Sequence, residues 1–256
     1  MAFTLKNRHD SDIEPSAAEK QLELMEHLTE LRNRLLRAVL FLTVGITAGW
    51  FLYNPFFTIL CGPVIDFLKE HGNKFIVVGL TEGFNIRMQM SVLIGAIIAC
   101  PFLTMESWGF ISPGLTRQER KAVWLVAPLS VLLFWLGVFC AWKVLPMGVK
   151  WLVAQNPAEA AFMPSVGQAL IFLLKLYLGF GLVFQLPVVL MFLGKVGIVS
   201  SSMLRTNWRQ AIVAIAIIAA IVTPSGDAPT MLAMCIPMIG LYGLSIILVR
   251  LIEKKH

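Results

Sequence analysis

The sequence predicts an all-α integral membrane protein of six transmembrane helices, with an amphipathic interfacial helix before the first span and a short fifth helix. Three observations carry that prediction. Hydrophobic residues make up 57% and charged residues 14% of the 256, with a mean hydropathy of +0.77, whereas ordinary globular domains hold about half and about a quarter. The apolar excess has to face lipid. Six apolar runs, at 36–53, 89–110, 122–142, 168–194, 210–222 and 230–249, mostly approach the ~20 residues that a ~30 Å hydrocarbon core requires. They are apolar on every side, unlike barrel strands, which alternate over about 10 residues. Lys and Arg number 15 in the 69 positions of 1–37, 113–122, 195–209 and 250–256, but 5 in the 66 positions of 54–87, 143–167 and 223–229. The positive-inside rule then puts both termini in the cytoplasm. The net charge of +6 follows from topology, so no nucleic-acid partner is implied.

Residues 1–20 read as a flexible polar N-terminus, 21–252 as a single membrane domain and 253–256 as a short cytoplasmic tail. Ser16-Ala17-Ala18-Glu19 fits a capping box, in which the hydroxyl and the carboxylate satisfy each other's free backbone amides. Beyond it, Leu24, Leu28, Leu31 and Leu35 form an apolar stripe at helical spacing, with Glu23, His27, Glu30 and Arg34 on another face. Taken alone, Glu30 is either a solvated i, i+4 partner of Arg34 or a binding carboxylate held at the membrane face. The first run is no cleavable signal peptide, because more than thirty residues, largely polar, precede it and no small-residue cleavage site follows it.

In the first outer loop, Pro55 and Pro63 suggest ordered, partly helical caps, with Pro63 fixing a turn. Glu106 lies near the cytoplasmic end of the second span; an intramembrane acid is either functional or close enough to the surface to be hydrated. Pro113-Gly114 ends that helix, and Glu119 follows among Arg117, Arg120 and Lys121, either as a topogenic cluster or as a second binding carboxylate. Val144-Leu145-Pro146 suggests another outer cap. The fourth span carries Gln185 just before Pro187. The fifth, 13 residues, reaches only about 20 Å, so flanking residues snorkel, the bilayer thins, or neighbours shield the helix. Asp227, between Pro224 and Pro229, is placed to cap the last helix.

Cys61, Cys100, Cys140 and Cys235 show no ligand spacing, so neither metal nor disulfide is expected. A zincin motif, a phosphate loop and a Gly-x-Ser-x-Gly elbow are all missing from the sequence. Neither an enzyme nor a cofactor is expected. A secondary transporter remains the rival reading, since it would also be a six-helix bundle with a midplane Glu or Gln, but no clear internal repeat is visible.

His27-Leu28-Thr29-Glu30-Leu31-Arg32-Asn33-Arg34-Leu35 resembles the N-terminal motif of the twin-arginine translocase TatC family. Further blocks agree in order: Thr81-Glu82-Gly83-Phe84; Trp108-Gly109-Phe110-Ile111-Ser112-Pro113-Gly114-Leu115 with Glu119-Arg120; Phe184-Gln185-Leu186-Pro187-Val188; and Thr223-Pro224-Ser225-Gly226-Asp227 with Ile236-Pro237. The resemblance implies a concave, glove-like bundle in a bacterial inner membrane. Its implied function is to receive precursors whose signal peptides carry two adjacent arginines. These cross folded, driven by the protonmotive force, with TatA- and TatB-type single-span partners and a homo-oligomeric receptor complex. The same resemblance implies that Glu30 and Glu119 contact the arginine pair, with Arg32, Phe110 and Arg120 around them. It gives Pro63, Glu82 and Asp227 structural or transport roles and places partner docking at Thr223, Thr230 and Met231.

The chain departs from the family pattern at Gln185 and Gly243, where members commonly carry glutamates, and at Met231, where Gln is frequent. Glu106 stands where relatives often have Gln. One expectation follows: Glu106 and Gln185 exchange acid and amide roles in a single polar patch of the groove.

Overall fold

The computed structural model describes residues 17–111, 117–157, 163–223 and 228–253, with the side chains at 17–24, 111, 117–125, 229 and 252 outside that description. Among the described residues, regular structure is helical apart from one isolated parallel bridge between Ile76 and Ser165. Nine helices follow in order: α1 (Ala17–Phe51), α2 (Tyr53–Glu70), α3 (Glu82–Ile111), α4 (Arg117–Ala154), α5 (Val166–Val183), α6 (Leu186–Lys195), α7 (Ser201–Thr206), α8 (Trp208–Val222) and α9 (Ala228–Glu253). The six membrane passages are α1, α3, α4, the α5–α6 pair, the short α8 and α9.

The amphipathic segment and the first span form one helix. At 35 residues, α1 is about 52 Å long, well beyond a ~30 Å core, so its first turns project past the hydrocarbon. It packs almost wholly along α3. Gly45 and Gly49 of α1 face Ser91 and Gly95 of α3 so closely that a Cβ on Gly45 would sit 2.6 Å from the Gly95 carbonyl oxygen. One added to Gly95 would lie 2.5 Å from the amide nitrogen of Ile46. This is a small-xxx-small seam, the way helices approach when lipid supplies no hydrophobic drive. Leu28, Leu31 and Leu35 are exposed, while His27 and Arg34 contact α3 and Glu30 pairs with Arg34. The leucine stripe therefore faces outward, since lipid is as good a solvent for leucine as another helix.

Helix α2 lies on the face opposite the termini and contains Pro63 inside it. The turn expected at Pro63 is corrected: the ring sits well inside the helix, where the main chain gives up one i→i−4 bond. Gly72 at φ +69 then closes α2, and Asn73 donates its N–H to the Leu68 carbonyl at 2.8 Å. Glycine suits that left-handed position because it carries no Cβ. Burial pushes the Cys61 thiol up to about 12, which suits a packing residue better than a reactive one.

At 38 residues, α4 continues past the core to stand against α2. The fourth passage breaks at Phe184–Gln185, because Pro187 at the head of α6 cannot donate to a preceding carbonyl. Helix α8 has 15 residues, about 22 Å. Thr223 beyond it is extended, as the residue before a proline prefers to be. The core joins α3, α4, α5 and α9, with Tyr177, Phe180, Leu173, Ile94 and Met234 fully enclosed.

Candidate functional site

At the end of the bundle that carries the start of α1, charged side chains from α1 and α3 meet. Arg34 donates from Nε and Nη2 to the same Glu30 oxygen, Oε1, at 3.0 and 2.6 Å. Its Nη1 lies 3.5 Å from Oε2 of Glu106, and Arg37 Nη2 is 3.3 Å from that same atom. Glu30 and Glu106 keep their second oxygens, Oε2 and Oε1, without a hydrogen bond from any described residue. The Glu30 side chain is 31% exposed and Glu106 15%. Two cations on two carboxylates leave the cluster neutral at low solvation, as charges at a membrane edge need to be.

The helical spacing explains the convergence. Glu30, Arg34 and Arg37 recur at i, i+4 and i+7 on one face of α1. Opposite them, Gly109 leaves a gap on α3: a Cβ there would lie 2.1 Å from Arg34 Nη1. Phe110 stacks on His27 with ring centroids 4.8 Å apart and joins Leu31, Leu35, Leu103, Glu106 and Arg34 around a groove of about 310 Å³. Arg32, two residues from Glu30, is exposed and makes no ion pair among the described residues. Among the described residues, Arg34 is the cation that holds Glu30. The side chains of Glu119 and Arg120 lie outside the described residues; their backbone forms the first turn of α4.

Glu106 and Gln185 do not share one patch. Glu106 faces α1, whereas the Gln185 amide donates from Nε2 to the Ser130 carbonyl at 3.0 Å and the Gly181 carbonyl at 3.4 Å. Ser130, buried in α4, also accepts from Trp108 Nε1 at 3.0 Å through its hydroxyl. The result is a polar node joining α3, α4 and the α5–α6 break. Gln185 borders a largely apolar hollow of about 570 Å³. The separation has a simple cause: α3 presents Glu106 to the arginines on one flank and Trp108 to Ser130 on another.

On the opposite face, Glu82 opens α3 and ties two loops together. Its Oε1 accepts from the Ser165 hydroxyl and from Gly167 N at 3.1 Å, and its Oε2 from Val78 N and from Gly79 N at 3.2 Å. Thr223 and Thr230 are buried, and the Thr223 hydroxyl donates to Ala219 O at 2.6 Å. Met231 is half-buried against the core. Both threonines expected at the docking site occupy interior positions, and the Thr223 hydroxyl is bonded to its own helix. Asp227 lies outside the described residues. Among the described residues no group of His, Cys, Asp or Glu could hold a metal. Sequence reasoning missed Arg37, Ser130 and the glycine seam; for the seam a signal existed in Gly45-xxx-Gly49.

Comparison with known proteins agrees with this arrangement. The family model for the Sec-independent protein translocase protein TatC matches residues 26–237. A TatC of Desulforapulum autotrophicum is 38% identical over 241 residues, covering 94% of this chain and 88% of the relative. One of Aquifex aeolicus is 33% identical, covering 91% and 97%. A crystal structure of the twin arginine translocase receptor TatC superposes with a TM-score of 0.76 at 33% identity, over 89% of this chain and 99% of that one. With its family profile, its relatives and its fold in agreement across nearly the whole chain, this protein belongs to the Sec-independent protein translocase TatC family.

Proposed function

We propose that this chain is the receptor subunit of a twin-arginine protein export system, binding the Arg-Arg motif of signal peptides at the end of the bundle where Glu30 lies. That end faces the cytoplasm of a bacterial inner membrane, in line with the 15 to 5 distribution of Lys and Arg. The observation that carries the reading is the state of Glu30. It already holds a guanidinium through two N–H groups, it is a third exposed, and its Oε2 accepts no hydrogen bond from the described residues. A guanidinium offers a planar fork of donors to a carboxylate, whereas an ammonium offers one point charge. Glu30 takes one arginine of the motif, and Glu119, on the first turn of α4 across a short connection, takes the other.

Phe110, stacked on His27, forms an apolar wall for the peptide beside the pair, and Arg120 balances the charge of Glu119. The hollow bordered by Gln185 suits the apolar stretch that follows an arginine pair. TatA- and TatB-type single-span proteins complete the passage, docking near Met231 on α9, and copies of this chain associate within the receptor complex. No nucleotide site is needed, since the protonmotive force drives export.

The test is direct binding of a fluorescent Arg-Arg signal peptide to the full chain in nanodiscs. Glu30→Gln and Glu119→Ala are each expected to weaken binding about tenfold or more, and so is a Lys-Lys peptide. Equal binding of both peptides to all three proteins would overturn the reading.

A further inference from the structure

Building on the receptor reading, we infer that Arg34 is an internal competitor for the Glu30 carboxylate and that Glu106 is the positioning residue that receives Arg34 when a ligand displaces it. The cluster has the geometry of a two-position switch. Arg34 is committed to Glu30 through Nε and Nη2, and its third donor already points at Glu106 from 3.5 Å. On Glu106 both arginine contacts fall on Oε2, and among the described residues nothing donates to Oε1, which can complete a forked pair. Gly109 supplies the room: any side chain there would occupy the space of Arg34 Nη1. Arg37 stays on Glu106 in either position, so the acid near the membrane is never left without a cation.

The consequence concerns affinity. A peptide must displace a guanidinium from Glu30 and leave Arg34 with a partner. An incoming arginine can offer parallel N–H groups to both Glu30 oxygens, where Arg34 reaches Oε1 alone. A lysine offers a single point contact. Moving Arg34 costs the same for either ligand, so competition lowers both affinities alike and leaves their ratio to direct contact with the peptide. Glu106 lowers the cost of displacement by supplying a second carboxylate within reach.

Four single variants and one double variant separate this from a merely structural role, with Arg-Arg and Lys-Lys peptides titrated into the full chain in nanodiscs. Glu106→Gln is expected to weaken Arg-Arg binding about five- to tenfold, because Arg34 then has one carboxylate instead of two, and Glu106→Asp to restore most of it. In an Arg34→Gln background the same Glu106→Gln change is expected to alter binding less than about twofold, since no displaced arginine needs a home. Arg34→Gln alone, and Gly109→Ala, which crowds Arg34 without changing any charge, are expected to tighten Arg-Arg and Lys-Lys binding alike, about fivefold, with their ratio kept. If Arg34→Gln binds the Arg-Arg peptide no more tightly than the wild type, or if Glu106→Gln acts equally with and without Arg34, the competition is overturned and the receptor reading stands. If the wild type binds neither peptide, both fall.

Discussion

The indole of Trp142 in α4 donates from Nε1 to the carbonyl of Ile59 in α2 at 3.1 Å, and that carbonyl is the one Pro63 leaves without its helical partner, four residues on. One residue later, the Tyr177 hydroxyl of α5 donates to the Leu60 carbonyl at 2.8 Å. The proline thus turns α2 from a self-satisfied helix into one that offers an acceptor to its neighbour. A cap at the end of the bundle away from Glu30 is tied to it by its backbone.

That arrangement predicts a coupling. Trp142→Phe is expected to lower stability by about 1 kcal/mol, the ordinary net worth of a hydrogen bond at a half-buried site. In a Pro63→Ala background the restored main-chain N–H can take the Ile59 carbonyl, and the cost of Trp142→Phe is expected to fall to a few tenths. Thermal unfolding of the four proteins in one detergent gives the cycle. Equal costs in both backgrounds would show that the indole contributes packing alone.

The glycine seam makes a second prediction. Helix α1 has little contact outside α3, so Gly95→Val, which forces a side chain against the Ile46 backbone, has no alternative packing to fall back on. A cost of about 2 kcal/mol is expected from overpacking, along with weaker signal-peptide binding, because Glu30 and Arg34 are carried on the displaced helix. Disulfide trapping between cysteines placed on α1 and α3 reads the separation. Trapping at wild-type rate would mean that the helices tolerate the side chain.

These relationships mark what the sequence could and could not disclose. Six passages, the short fifth helix and the charged ends were legible because composition and length alone decide what crosses a bilayer. The placement of Pro63 was not, since a proline preceded by Cys61-Gly62 reads as a turn until a neighbouring donor is known to bond to the freed carbonyl. Likewise Glu30 and Arg34 are visible at i, i+4, but Glu106 lies 72 residues from Arg34, and pairing across helices leaves no local signature. The leucine stripe was legible as a face, but periodicity does not say whether protein or lipid covers it.

A third prediction concerns pH at the end carrying the chain's C-terminal helix. Glu253 of α9 accepts from the Ser201 hydroxyl and from Ser201 N, the latter at 2.7 Å, clipping α7 to α9. The hydroxyl bond first, and the amide bond after it, hold its carboxyl below the usual carboxylate range. A depressed folded value means the clip stabilises above the unfolded carboxylate pKa of about 4.3 and is lost as pH falls through the lower folded value. Hydrogen exchange at Ser201–Thr206 should therefore quicken as the pH is lowered below about 4 in wild type, and Glu253→Gln should remove that dependence. Exchange that follows the intrinsic pH trend alike in both proteins would rule the clip out.

The last prediction turns on what Gln185 can do that a glutamate cannot. Its two partners, the carbonyls of Ser130 and Gly181, are both acceptors, so this position needs a donor. An amide supplies one at any pH, while a carboxylate supplies none until it binds a proton. Gln185→Glu is therefore expected to lose stability wherever the new carboxyl is ionised. The difference in Tm between wild type and variant should be small at pH 5 and widest at pH 8, where an ionised carboxylate faces two carbonyl oxygens beside an apolar hollow and the penalty is about 1–3 kcal/mol. A Tm difference constant across that range would mean that the new carboxylate turns away from Ser130 into water. The α5–α6 break would then owe nothing to the side chain at 185.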